Sequence, residues 1–337
     1  MKKKKIILSY DYELFFGDRS GTVQKSLIEP TNQLLDVMDS VGFKGNFFVD
    51  WQMIKYLSLE KDERCQQDHF AIVNQLKDMV RRGHRIELHI HPHWVDAKYN
   101  GDGTWNFDEF RHYSLNSFSK DEITEMFVEG TNLLESIARE VVPDYKIIAF
   151  RAGGWAVQPF EKLKEGFYKA GIKVDSSTSE YLYDFTDKCG FDKFNSYDLF
   201  RFNVDPTIIE VDGEFIEVPI STYFRGIIHK ICYQYGKIFD KYECHTDGTH
   251  LRKVKRILPN TENKAVKSNL MLLSLSQLPA LSVAYSILRA PHNIVCIIDH
   301  PKDLTSSTIS GITLISKICD SINYNDITNN YEDFGLF

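Results

Sequence analysis

A chain of 337 residues that is 43% hydrophobic and 13% aromatic carries enough apolar side chain for a large core, in one large domain or two smaller ones. Its 40 basic and 47 acidic residues are well mixed and sum to a net charge of −7, so no segment offers the basic face that nucleic acid requires. The six cysteines include no C-x-x-C pair, which points to reduced thiols in a cytoplasmic protein and excludes a disulfide scaffold.

The chain opens on a basic tip, Met1 to Lys5. Asp11 and Glu13 then interrupt the apolar run, so no signal peptide is expected. From there short β-rich runs alternate with helical stretches. The runs are Ile6–Glu13, Gly45–Trp51, Arg85–His91, Ile147–Gly153, Ile172–Thr178, Phe215–Thr222 and Asn293–His300. Apolar spacings of three and four predict helices over Leu27–Ser40, Phe70–Arg82, Asp121–Ala138 and Phe160–Ala170, with Ser119 or Asp121 as N-cap of the third. Strands alternating with helices mean a parallel sheet, and seven of them suggest a closed or nearly closed barrel. The interval 223–292 is long and reads as a helical insertion before the last strand. Within it Asn269–Leu288 is nearly uncharged, but its serines, Asn269, Gln277 and Pro279 make it a poor membrane span. A buried or partner-facing helix pair broken near Pro279 is expected, with homo-oligomer formation or contact with a membrane surface as the other readings. Cys244, His245 and His250 lie close together, but their spacing fits no standard zinc module.

The chemistry gathers at the ends of the predicted strands. Asp11 and Glu13, at i and i+2, project from one face of the first strand beside a core, where two acids need cations or a metal. His89, His91 and His93 put three imidazoles within five positions, in a chain with only 11 histidines, and imidazole is the commonest zinc ligand. Which two of the three bind is left open by the spacing, since all share a face on a regular strand and Pro92 ends that strand. Arg151 precedes Ala152-Gly153-Gly154, which leaves room for a ligand near the backbone. Asp175 and His300 end two further strands. Polar groups at the C-terminal ends of five strands are where barrel active sites are built.

In this order the motifs resemble those of the polysaccharide deacetylase family of carbohydrate esterases, the NodB-homology group. Ser9-Tyr10-Asp11-Tyr12-Glu13 resembles the first motif, and Gly83-His84 through His89 and His93 the second. Phe150-Arg151-Ala152-Gly153-Gly154-Trp155 resembles the third, Val174-Asp175-Ser176 the fourth, and Asp299-His300-Pro301-Lys302-Asp303-Leu304 the fifth. The resemblance spans nearly the whole chain, read as a single catalytic domain. It implies an α/β fold, a distorted (β/α)7 barrel, and a divalent metal, Zn2+ or else Co2+, Ni2+ or Fe2+, on Glu13, His89 and His93. It also implies Asp11 as general base held by Arg151, and His300 as general acid paired with Asp175. The substrate would be an N-acetylated carbohydrate, such as a nucleotide- or lipid-linked precursor. Three departures stand out: Glu13 occupies a position where many members have Asp, the interval 223–292 is not part of the common core, and Gly153-Gly154-Trp155 replaces a P-Y-G turn. A backbone N–H near Gly154 is then the expected oxyanion donor. Trp94, Trp105 and Trp155, in or beside loops at the active end, are the expected sugar platforms, and the segment Trp94–Phe118 the expected substrate loop.

Overall fold

The computed structural model describes residues 3–17, 19–109, 111–180, 183–184, 189–191, 198–239, 245–250, 270–291 and 294–334. Nine strands form its main sheet. Lys4–Tyr12 lies parallel between Gly45–Asp50 and Ile294–Asp299. Beyond Gly45–Asp50 the parallel order continues through Arg85–Ile90, Ala149–Ala152, Val174–Asp175 and Phe215–Glu217. Phe200–Phe202 pairs antiparallel at the edge, and Cys319–Ser321 adds beside the start of Lys4–Tyr12. Each of the seven predicted runs contains a strand; Asn293 lies outside the described residues.

Alternation along the strands divides the buried side chains into two sets. Ile6, Leu8, Phe47, Val49, Ile86, Leu88, Val295 and Ile297 join the large cluster that packs beneath the helices. Their neighbours Ile7, Phe48, Ala149, Val174, Ile216, Val218 and Cys296 form a second cluster on the opposite, concave face, together with Tyr324 and Ile327. Which face a strand-end residue occupies follows from this parity.

The barrel is realised only in part. No strand ladder closes the sheet among the described residues, whose order ends on Phe200–Phe202 and Ile294–Asp299. The gap is spanned by Ser221. Its N–H donates to the Cys296 carbonyl at 2.8 Å, and its hydroxyl accepts from the Cys296 N–H at 3.0 Å.

The helices follow the expected periodicity, with shifted ends. Glu29–Ser40 follows a wider turn over Gln24–Ile28. Glu63–Arg81 starts seven residues before its predicted end-point Phe70, because the Asp62 carboxylate caps the N–H groups of Arg64 and Cys65. Lys120–Arg139 begins on a capping box made by Ser119 and Glu122. The 160–170 stretch divides into a single turn at Phe160–Lys162 and the helix Lys164–Ala170.

The apolar stretch before the last strand is corrected. Its first part is a strand, Leu270–Leu272, paired antiparallel with Thr222–Phe224, followed by an extended turn; only Ala280–Arg289 is helical, with Pro279 as N-cap. Asp299 explains the turn. Its carboxylate accepts the N–H groups of Leu275 and Ser276 and the Ser276 hydroxyl at 2.6–2.9 Å, bonds a helix would make internally. Leu273, Leu275, Leu278, Val283 and Ile287 are buried in the large core. No described helix is long and apolar enough to cross a membrane.

Candidate active site

The strand register brings the motif residues level at the C-terminal edge of the sheet. Tyr10 pairs with Asp299, Asp11 with Phe48, Asp50 with His89, and His89 with Arg151. By parity Asp11, His89 and Arg151 point to the concave face, and Glu13 and His91 follow them beyond their strand ends.

Arg151 is fully buried and organises the floor of the site. Its Nη1 donates to Asp11 Oδ1 at 2.6 Å, its Nε to the Ser176 carbonyl at 2.8 Å, and its Nη2 to the hydroxyls of Ser9 and Ser176 at 2.7 and 3.2 Å. The guanidinium lies 4.2 Å from the Phe48 ring centroid. Burial alone would raise the Asp11 carboxyl, but Arg151, His89 and His300 outweigh it and hold Asp11 below its ordinary range.

Glu13, His89 and His91 bring their ligand atoms within 4.8 Å of one another, and all three are buried. His89 Nδ1 donates to the Arg151 carbonyl at 2.7 Å. In the neutral ring, Nε2 then turns a lone pair toward Glu13 Oε2, 3.2 Å away. The same oxygen lies 2.6 Å from His91 Nε2. Two acceptors face to face require a proton or a cation between them. Without a metal a proton serves: burial opposes the charge, but Asp11 and Glu13 lift His89 to about 8. With one, a carboxylate oxygen and two imidazole nitrogens form a donor set suited to Zn2+, Co2+, Ni2+ or Fe2+. The residues present therefore fit a divalent metal.

His93 is not in this group. It is buried among aromatic rings, edge-on to Phe16 at 3.9 Å and stacked on Tyr113 at 5.7 Å between centroids. Pro92 starts a tight turn over Pro92–Asp96, which carries His93 round to that aromatic side while His91 stays in line with the strand. The structure thus groups His91, rather than His93, with Glu13 and His89.

His300 faces the carboxylates from the last strand. Its Nε2 lies 3.7 Å from Asp11 Oδ2 and 3.6 Å from Glu13 Oε1. Burial and the neighbouring Lys302 ammonium hold its imidazole below the usual histidine range. The expected pairing with Asp175 is not formed. Asp175 has the opposite parity from Val174 and Ser176, so it points away from the concave face. There it accepts the Ser177 hydroxyl at 2.7 Å and lies against Glu217, both carboxyls raised chiefly by burial. The acid beside His300 is Asp303, whose Oδ2 lies 3.5 Å from His300 Nδ1.

Trp94 is also corrected. It is completely buried, and its indole N–H donates to Asp50 at 2.6 Å, so it is a core residue and no sugar platform. Trp105 is likewise buried, packed against Trp94. Trp155 stays half-buried at the rim. It follows Gly154, and the two residues have φ of 57° and 61°. A Cβ on Gly154 would lie 2.8 Å from the Tyr113 ring, so glycine is required both by backbone and by space. Cys244, of the discounted cysteine–histidine cluster, lies outside the described residues.

Two residues of the site carried no role in the sequence reading. Lys302 is buried, and its ammonium donates to Glu13 Oε1 at 2.7 Å and to the Leu14 carbonyl at 2.9 Å. Its signal was present, a lysine set between His300 and Asp303 directly after an apolar strand. Asp50 is fully buried beside His89, and burial lifts its carboxyl to about 7. Its signal was an acid closing the second strand in register with the histidine strand.

No family model matches the chain, and no curated protein matches it. Solved structures do. The 4-alpha-glucanotransferase from Thermococcus litoralis superposes with a TM-score of 0.52 at 10% identity, over 98% of this chain and 41% of that enzyme. A candidate polysaccharide deacetylase from Mycobacterium smegmatis gives a TM-score of 0.47 at 13% identity, over 98% of this chain and 92% of that one. A CE4 family pseudoenzyme from Bacillus anthracis gives 0.41 at 10% identity, over 95% and 64%. At these identities the likeness is one of fold. The chain's own sheet and register define an α/β protein built on a mainly parallel sheet, with its polar cluster at the C-terminal ends of the strands. The solved structures similar to this chain include polysaccharide deacetylases and CE4 family esterases.

Proposed function

We propose that this protein is a metal-dependent carbohydrate deacetylase that hydrolyses the N-acetyl amide of a sugar. The observation that carries the reading is the joint geometry of three groups: Asp11 clamped by Arg151 at 2.6 Å, the Glu13–His89–His91 triad beside it, and His300 within 3.7 Å of both carboxylates. A site with only one of these would suit many purposes. Together they meet the demands of an amide, whose carbonyl is weakly electrophilic and whose amine leaves poorly unless protonated.

Glu13, His89 and His91 would hold the metal, which would supply polarisation of the acetyl carbonyl and lower the pKa of water toward about 7. Asp11, kept ionised by Arg151, accepts the proton of the attacking water. His300, on the other side of the carboxylates, delivers a proton to the departing amine nitrogen, with Asp303 at its Nδ1. Lys302 neutralises the second oxygen of Glu13 and excludes water beneath it. A backbone N–H of the Gly153–Trp155 turn is the proposed donor to the developing oxyanion, and Trp155 at the rim the proposed sugar contact.

The test is acetate release from N-acetylated sugars and oligosaccharides by metal-stripped protein, with and without added Zn2+ or Co2+. Acetate should appear only with metal and disappear in His89→Ala. Asp11→Asn should retain metal and lose about 10²–10⁴-fold in rate. A fully active Asp11→Asn enzyme, or no acetate from any sugar by metal-loaded protein, sinks the reading.

A further inference from the structure

The interval between the sheet strands Phe215–Glu217 and Ile294–Asp299 sends a short strap, His245–His250, back to the site. Three observations seat it. Asp247 accepts the Thr22 N–H, the Thr22 hydroxyl and the Ser26 hydroxyl, each at 2.9 Å. The Thr249 N–H donates to the Arg19 carbonyl at 2.9 Å. Gly248 lies so close to Phe15 that an added Cβ would meet its ring at 2.1 Å, a contact only glycine permits. The strap is thereby fixed to the loop that follows Glu13.

Its last residue reaches the machinery. His250 Nε2 lies 2.6 Å from Asp303 Oδ1, and its ring packs edge-on to Phe15 at 4.9 Å. The other oxygen of Asp303 lies 3.5 Å from His300 Nδ1. The order is His250, Asp303, His300, and then Asp11 and Glu13.

We propose that His250 is a positioning residue for His300, acting through Asp303, so that the segment inserted between the strands completes the active site. The inference rests on the reading of His300 as the proton donor. A carboxylate 3.5 Å from an imidazole nitrogen is at the outer edge of hydrogen-bond reach, so its orientation depends on what holds its second oxygen. His250 holds it from the solvent side. With Asp303 so fixed, its carboxylate holds the Nδ1–H of His300 and fixes the ring, which leaves Nε2, on the side of Asp11 and Glu13, as the nitrogen that takes up and delivers the proton. This is the relation of an outer partner to a working histidine, whose loss typically lowers activity about 10–100-fold.

The experiment compares wild type, His250→Ala and His250→Gln, the last keeping a donor of similar reach. Long-range 1H–15N spectra of the imidazoles are recorded with and without Zn2+, alongside zinc affinity, thermal midpoint, and acetate-release kinetics on N-acetylglucosamine oligomers. Expected for His250→Ala are a His300 signal that no longer shows one fixed Nδ1–H tautomer, and a kcat lower by about 10–100-fold with KM within about twofold. Zinc affinity and thermal midpoint stay as in wild type, and His250→Gln restores most of the kcat. An unchanged His300 signal in His250→Ala overturns the proposal, as does an equal loss in both variants. If wild type releases no acetate, the deacetylase reading fails, while the His300 tautomer still decides whether His250 positions that ring.

Discussion

Asp50 shows what burial does to a single residue of this site. Its carboxyl is fully buried, accepts the Trp94 indole N–H at 2.6 Å, and is lifted to about 7 by desolvation, with Glu13 adding to the rise and His89 opposing it. The sign follows from linkage. The unfolded chain releases this proton near the ordinary aspartate value of about 3.9, whereas the folded protein keeps it until about 7. Stability from this group is therefore full below about 4, falls as pH rises toward 7, and stays reduced above. The expected span is a few kcal/mol, on the order of 1.4 kcal/mol per unit of difference. Urea unfolding of chelator-treated wild type and Asp50→Asn should show the gap between them changing by that amount between pH 4.5 and 8. A gap that does not move with pH would mean that Asp50 ionises normally. At the same scale, one step of parity separates Asp175 from Ser176. That step puts Ser176 beneath Arg151 and turns Asp175 away from His300, toward Glu217.

Elements are held by close approach as well as by pattern. Helix Lys120–Arg139 was legible from its spacing and from Ser119 or Asp121 as N-cap, but its seat depends on Gly130. A Cβ there would lie 2.7 Å from the Trp51 ring and 2.8 Å from Leu88. Alanine normally gains about 1 kcal/mol over glycine inside a helix. Here the overlap with two buried side chains of neighbouring elements outweighs that gain, and overpacking costs about 1–3 kcal/mol. Gly130→Ala should thus lower the urea midpoint; a raised midpoint would show that the helix can move outward freely. Helix Trp51–Leu59 escaped the sequence reading because it starts directly on the end of the second strand, whose predicted run took in Trp51. The 270–279 stretch failed in the other direction. Its apolar residues suit a helix, but Asp299 and the Thr222–Phe224 strand supply the backbone partners that make it extended.

For the molecule as a whole, a metal held by Glu13, His89 and His91 would couple to stability. An ion that binds the folded chain alone stabilises it by about 2.7 kcal/mol at 100 times its dissociation constant. Added Zn2+ should raise the thermal midpoint of stripped protein, and chelator should reverse the rise. The grouping of Glu13, His89 and His91 further requires that His91→Ala abolish the shift and that His93→Ala retain it. The reverse pattern would return His93 to the ligand set. The sequence by itself determined the alternating α/β plan and the strand ends that carry Asp11, Glu13, His89, Arg151 and His300. Those features follow from periodicity and from polar groups that close apolar runs, whereas the meeting of Asp11 with Arg151 was implied by the family resemblance alone. Only the tertiary structure decided which face each strand end presents, that His91 rather than His93 joins Glu13, that Lys302 contacts Glu13 and Asp303 lies beside His300, and that His250 arrives from a distant segment. Each of these turns on a single step of register or on a turn closing in space, and hydropathy does not encode either.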